Sequence, residues 1–236
     1  MATDAADRSL YEAALARVAD IDLIGVAAVA DTLGTPLHKS AVSLLPGARS
    51  IVVLGMEIFA EVADLVVPEK KMGEAAARDL IGPHYDYLNG RLNRGIYEVA
   101  KVYRAAGFRC LPLPSQGTPV DGRYLDGLLS FKHAGEYAGL GVIGRSSLLL
   151  TPEHGPRVRL ACLLMDAELP AGRRLADNPC DGCGALCVAS CPCGALAMPA
   201  DGQTYAINKY ACSAFRNASG CCVTCLSVCP TGARRG

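Results

Sequence analysis

At 236 residues the chain has room for one large domain or two small ones. Hydrophobic residues make up 51% and charged residues 19%, which supports a buried core and excludes wholesale disorder. Lys plus Arg equals Asp plus Glu at 23 each, so no global field recruits nucleic acid or an acidic membrane surface. Apolar runs such as Ile51 to Met56 and Leu148 to Leu150 fall far short of the roughly 20 residues that cross a bilayer.

The opening MATDAADRSL has no apolar signal segment, and a cytoplasmic protein is the expectation. Ser9 to Ala19 has helical spacing in Leu10, Ala14, Leu15 and Val18. Ile21 to Val29 and Ser50 to Met56 read as buried strands, the second following the turn Pro46-Gly47. Lys71 to Ala106 is helical again, with a break expected near Gly82-Pro83. Phe108 to Leu113 reads as a strand, Leu129 to Ala138 as a helix, and Arg157 to Met165 as a long strand. Such alternation predicts an α/β (α+β) layer on a central sheet. Pro170, Gly172, Arg173, Arg174 and Pro179 mark a linker, dividing an α/β domain at 1–172 from a module at 173–236.

That module holds ten of the twelve cysteines. In a reducing compartment such density points to metal or redox chemistry before disulfides. The first run is Cys180-x2-Cys183-x3-Cys187-x3-Cys191-Pro192; the second is Cys222-x2-Cys225-x3-Cys229-Pro230, with Cys212 ten residues ahead of Cys222. Paired runs ending in Cys-Pro are the pattern of bacterial two-cluster ferredoxins, in which the last cysteine of each run ligates the other cluster. One [4Fe–4S] cluster then takes Cys180, Cys183, Cys187 and Cys229, and the other takes Cys191, Cys212, Cys222 and Cys225. Cys221 competes with Cys212 for one corner, and two structural zinc sites of four cysteines each are the plain alternative. Cys193, Cys110 and Cys162 are expected to be small buried fillers. Gly194-Ala195-Leu196 and Thr231-Gly232-Ala233 echo one another after the two Cys-Pro steps, as a pseudo-twofold module would require.

Gly139-Leu140-Gly141-Val142-Ile143-Gly144 fits G-x-G-x-x-G, but a dinucleotide site needs a strand before it and a helix after it. Here a helical stretch precedes the motif and Thr151-Pro152 stops any helix that follows, so a tight helix-to-strand turn is expected instead.

The stretch AGLGVIGRSSLLLTPEHGPRVRLACLLMDAEL, followed by the two cysteine runs, resembles the reductive dehalogenase and epoxyqueuosine reductase superfamily. The resemblance covers roughly Leu45 to Thr231 and is specific from Ala138 onward. It implies a nitroreductase-like α/β domain that binds a corrinoid (cobalamin), next to a two-cluster ferredoxin-like module. Gly139, Gly141, Gly144, Arg145 and Ser146 match the family's turn; Thr151, Pro152, Gly155, Pro156 and Arg157 match its strand entry, and by analogy all would line the corrinoid. The family's D-x-x-P stretch is not reproduced, Asp126 being the nearest candidate proton donor, and neither a twin-arginine signal nor a helical-repeat tail is present.

The resulting expectation is an enzyme passing single electrons through two clusters to cobalamin, for reductive chemistry on a small-molecule substrate. An external donor of ferredoxin or flavodoxin type would feed it. A flavin-using reductase on the same fold, or a non-enzymatic electron-transfer or corrinoid-handling protein, are the alternatives. Tyr85, Tyr87, Tyr103, Tyr124 and Tyr137 are proton donors by type only, Lys132 and His133 read as a solvated helix face, and His38, His84 and His154 have no partner at metal-ligand spacing. No P-loop, G-x-S-x-G or H-E-x-x-H is present, which argues against phosphoryl, acyl and zinc-hydrolytic chemistry.

Overall fold

The two most apolar runs of the sequence become the two central strands of a four-stranded sheet. In the computed structural model, which describes residues 2–66, 74–116, 119–121, 125–219 and 221–232, the elements run as follows. Helix α1 (Ala2–Leu15) precedes β1 (Leu23–Ala28), α2 (Pro36–Leu44), β2 (Ser50–Glu57), α3 (Ala60–Leu65), α4 (Glu74–Ala105) and β3 (Cys110–Leu113). A short pair, β4 (Pro119–Asp121) and β5 (Asp126–Gly127), leads to α5 (Phe131–Tyr137), the pair β6 (Val142–Ile143) and β7 (Leu149–Leu150), and β8 (Val158–Met165). The cysteine-rich end adds α6 (Leu186–Ala189), β9 (Leu196–Ala197), β10 (Ala206–Ile207), α7 (Lys209–Ala218) and α8 (Thr224–Ser227). No helix among the described residues is long and apolar enough to cross a membrane.

The chain packs as two compact units. The first gathers 1–56, 89–140 and 159–174; the second gathers 57–88, 141–158 and 175–236. The boundary expected at 172 and 173 lies beside the last crossing, between Arg174 and Leu175.

In the first unit the sheet order is β1-β2-β8-β3. Strand β1 pairs antiparallel with β2 (Val26 opposite Val52), and β3 pairs antiparallel with β8 (Leu113 opposite Cys162). Strand β2 is buried from Ser50 to Met56, as expected of a strand covered on both faces. One face packs Ala27, Ile51, Val53, Cys162 and Leu164 against Leu37 and Ala41 of α2 and Ala134 of α5. The other carries Leu54, over which Gly95 of α4 brings the helix so near that a Cβ would stand 3.1 Å from the leucine. Leu92, Ile96, Val99, Ala100 and Tyr103 form the buried stripe of α4 at helical spacing. Helix α2 starts where Thr35 accepts the His38 N–H at 3.2 Å and Pro36 takes the first turn.

The break expected at Gly82-Pro83 is absent: α4 runs through Pro83. Proline removes one helical hydrogen bond, and burial of Ile81 and Leu88 on either side of it outweighs that loss. Lys71, the expected start of this helix, lies outside the described residues.

Apart from the first part of α4 and the ten-residue α7, the second unit is built from short pieces. Buried apolar residues are few and scattered, among them Ile58, Ala63, Val142, Leu150, Leu196, Val223 and Leu226. Helix α3 packs on α8, where Ser227 Oγ donates to Asp64 Oδ1.

Candidate metal centre

All twelve cysteines are free thiols, and the ten from Cys180 to Cys229 lie in the second unit. The first run begins at an Asx turn: Asn178 Oδ1 accepts the Cys180 N–H at 3.0 Å, and Asn178 Nδ2 donates to the Ile143 carbonyl at 3.1 Å. The start of the run is thereby tied to β6. Cys183 N–H closes back on the Cys180 carbonyl at 3.2 Å, Ala185 takes a left-handed φ of 55°, and α6 then carries Cys187. This tight winding turns Cys180, Cys183 and Cys187 into one pocket, and Cys229 of the second run joins them there. Arg145, Ser146 and Leu150 of the β6–β7 hairpin line the same pocket.

The electrostatics of these thiols is collective. Burial pushes the Cys180 thiol up; a hydrogen bond from the Arg145 N–H and the Arg145 charge pull it down, and Cys229 and Cys183 push it up again. Burial also raises Cys187, with Cys180 and Cys229 adding to it. A metal group that binds such thiols does so as thiolates and offsets the cost that burial sets on their charge. They line a pocket and do not meet at a point. Among the described residues no three His, Cys, Asp or Glu side chains are grouped to hold a single ion.

A second set forms around α7 and α8. Asn208 caps α7, accepting the Ala211 N–H at 3.0 Å, and so fixes Cys212 in the first turn. Burial raises the Cys212 thiol, Arg216 lowers it, and Cys222 and Cys191 raise it. Burial, then Cys222, Cys212 and Cys187, push Cys225 to about 12. Cys191 goes the other way: burial raises it, but backbone N–H groups of Leu196, Cys193 and Ala195 and the Cys193 thiol together hold it low. Cys221 feels Arg216 and Cys222. Cys193 is not a buried filler; it is half-buried, with its sulfur 3.9 Å from that of Cys191. Cys162 is fully buried in β8, and Cys110 is half-buried in β3, its thiol raised to about 11 by burial and by Asp166. Gly194 and Gly232, the echoed glycines after the two Cys-Pro steps, both take left-handed φ (58° and 87°), whereas Ala233 lies outside the described residues.

The glycine motif is a helix stop followed by a hairpin. Gly139 N–H bonds to the Glu136 carbonyl and Leu140 N–H to that of Gly135, a Schellman ending with Gly139 at φ 77°. Strands β6 and β7 follow, so the helix a dinucleotide would need is absent at this place. The space at each glycine is filled by the chain itself. A Cβ would lie 2.5 Å from the Arg173 carbonyl at Gly139, 2.2 Å from that of Leu150 at Gly141, 2.4 Å from Leu150 Cδ1 at Gly144 and 2.0 Å from the Thr231 carbonyl at Gly155. At these four positions a side chain of any size would collide with the chain's own atoms. Thr151 and Gly155 exchange both backbone bonds, at 2.9 and 2.8 Å, around the exposed Pro152; Pro156 is buried, and Arg157, 1% exposed, donates Nη2 to the Thr231 carbonyl at 3.4 Å.

The other sequence candidates are dispersed. Asp126 is exposed on β5. Tyr103 is buried, Tyr85 half-buried, Tyr87 exposed, and Tyr137 lies under the Arg174 guanidinium at 4.5 Å; Tyr124 is outside the described residues. His133 is half-buried, its Nδ1 2.7 Å from Ser130 Oγ, and not on a solvated face. His84 Nε2 accepts the Phe59 N–H at 3.3 Å, His38 Nδ1 lies 3.1 Å from the Val29 carbonyl, and His154 Nδ1 lies 3.6 Å from Glu57 Oε1. Asn178 and Arg216 escaped the sequence reading, although an asparagine two residues before a ligand-type cysteine is a legible turn signal.

No family model matches the chain. Over 158 residues, 65% of the chain, it is 30% identical to an epoxyqueuosine reductase of Bacillus cereus; over 167 residues, 70%, it is 28% identical to that of Gloeobacter violaceus. It spans 37% and 46% of those proteins' lengths. A solved epoxyqueuosine reductase superposes with a TM-score of 0.54, at 21% identity, over 94% of this chain and 64% of that one. A reductive dehalogenase whose structure suggests a mechanism for B12-dependent dehalogenation superposes with a TM-score of 0.62, at 16% identity, over 91% of this chain and 30% of that one. These superpositions show a shared mixed α/β fold with a cysteine-rich C-terminal region.

Proposed function

Starting from a chain that belongs, as a distant homologue, to the structural superfamily of epoxyqueuosine reductases and reductive dehalogenases, we propose that it is an iron–sulfur reductase acting with a corrinoid. Cys180, Cys183, Cys187 and Cys229 hold one [4Fe–4S] cluster, and Cys191, Cys212, Cys222 and Cys225 hold the other. The observation that carries this reading is the gathering of Cys229 from the second run with three cysteines of the first around one pocket. Cys212 is favoured over Cys221 because it acts on both Cys191 and Cys222.

When bound, the clusters supply one-electron steps and the corrinoid the reductive chemistry on a small molecule. The chain's own part is to hold eight thiols in two loops tied down by Asn178, Asn208 and the β6–β7 hairpin. An external donor of ferredoxin or flavodoxin type supplies the electrons. The corrinoid part of the reading rests on the likeness to a B12-dependent dehalogenase. The second reading is an electron-transfer protein that handles no substrate itself.

Anaerobic purification followed by metal analysis and absorption spectroscopy tests both. About eight irons with matching labile sulfide per chain are expected. A colourless chain loaded with zinc overturns the iron–sulfur reading. Cobalamin retained through gel filtration supports the reductase, flavin bands replace the corrinoid by a flavin, and clusters alone favour the carrier. Cys193→Ser leaves iron content unchanged if Cys193 is no ligand.

A further inference from the structure

We propose that Arg145 is the positioning residue that sets the reduction potential of the cluster held by Cys180, Cys183, Cys187 and Cys229. This inference rests on the iron–sulfur reading above and departs from the resemblance, which assigns Arg145 to the corrinoid.

Both polar ends of the residue are engaged with the first cysteine run. Its backbone N–H donates to Cys180 Sγ at 3.3 Å, and its guanidinium Nη1 donates to the Cys183 carbonyl at 3.1 Å. Gly144 makes this approach available, because a Cβ there would collide with Leu150 and stand 3.2 Å from Cys180 Sγ. Leu150 in turn lines the same pocket, so the hairpin brings apolar cover and one fixed cation to the same four thiols.

The chemistry follows from charge. Adding one electron to a cluster makes the cluster and its thiolates more negative. A hydrogen bond to a ligating sulfur and a nearby positive charge both stabilise that reduced state and raise the potential. The charged end is hydrogen-bonded to the loop carbonyl and acts by way of that contact and its field, which is why it positions and tunes.

The test is redox potentiometry of the anaerobically purified chain, followed by the paramagnetic resonance of the reduced clusters, with iron counted in parallel. In Arg145→Gln one of two potentials is expected to move negative and the other to stay, with full iron. In Arg145→Lys, which keeps the charge, most of that shift is recovered. Unchanged potentials in Arg145→Gln at full iron overturn the proposal, as does an equal shift of both. Loss of half the iron from both variants also overturns it, since the arginine would then only build the loop. Lack of iron in the unsubstituted chain overturns the underlying reading instead, and is distinguished from these outcomes by that alone.

Discussion

The two units reach a defined structure by different means. The first has a sheet buried on both faces, with Ile51, Val53 and Leu54 at 0% exposure beneath α2, α5 and α4. Its stability follows from apolar area removed from water. Beside the first part of α4 and the ten-residue α7, the second has two-residue strands, helices of four to six residues and loops closed by asparagine caps and glycine contacts, with ten half-buried thiols. Short pieces of that kind do not remove enough apolar surface to offset their ordering, and small units of this sort rely on staples such as metal groups. The comparison teaches that apolar burial defines one unit and that, on the proposed function, ligand chemistry defines the other.

The largest expected effect breaks the second unit alone. Cys180→Ser or Cys225→Ser should remove about half the iron and leave the segment beyond residue 175 open to limited proteolysis, because metal binding there is folding free energy. Full iron retention in either variant would void the ligand sets. In the first unit, Leu164→Ala at a fully buried position should cost about 2–5 kcal/mol in denaturant unfolding with iron content intact. A parallel loss of iron would show that the units do not stand apart energetically.

Gly155→Ala should cost about 3 kcal/mol, combining a left-handed backbone with a collision on the Thr231 carbonyl, and iron loading should fall with it. Unaltered iron loading would mean the Cys229 loop does not depend on this contact. The smallest effect is at the surface of the first unit. The side-chain hydrogen bond from Arg109 holds the Asp166 carboxyl below its ordinary value, so its stabilising contribution is complete above about pH 4 and fades as pH falls through the lowered value. Asp166→Asn should therefore lose at most about 1 kcal/mol at neutral pH and match the unsubstituted chain in strong acid. A constant difference across the range would refute the linkage.

Legibility in the sequence divides along the same line. Strands β2 and β8 were readable because the burial of a central strand demands a long apolar run, which SIVVLGM and RVRLACLLM supply, while the partly buried edge strands β1 and β3 were readable from shorter apolar stretches. The fold of the superfamily was readable from the Ala138 to Leu169 stretch together with the cysteine runs. Pro83 misled, since local propensity at one residue yields to the packing of a helix of 32. The interleaving of segments 57–88 and 141–158 with the cysteine-rich end was not readable, because no local pattern encodes which distant segments share a core. The glycines were visible as exceptions, but whether they make room for a ligand or for the chain depends on Thr231 and Leu150, which sequence spacing cannot bring to them.

One consequence concerns Gly155 and Gly232. A Cβ on the first would strike the Thr231 carbonyl, and one on the second would come within 2.3 Å of the Gly155 nitrogen. Each obstacle is main chain, so no exchange of side chains opposite can relieve it. In lineages descended from this sequence the two sites should therefore stay fixed independently of one another, showing none of the compensating swaps expected where one side chain makes way for another.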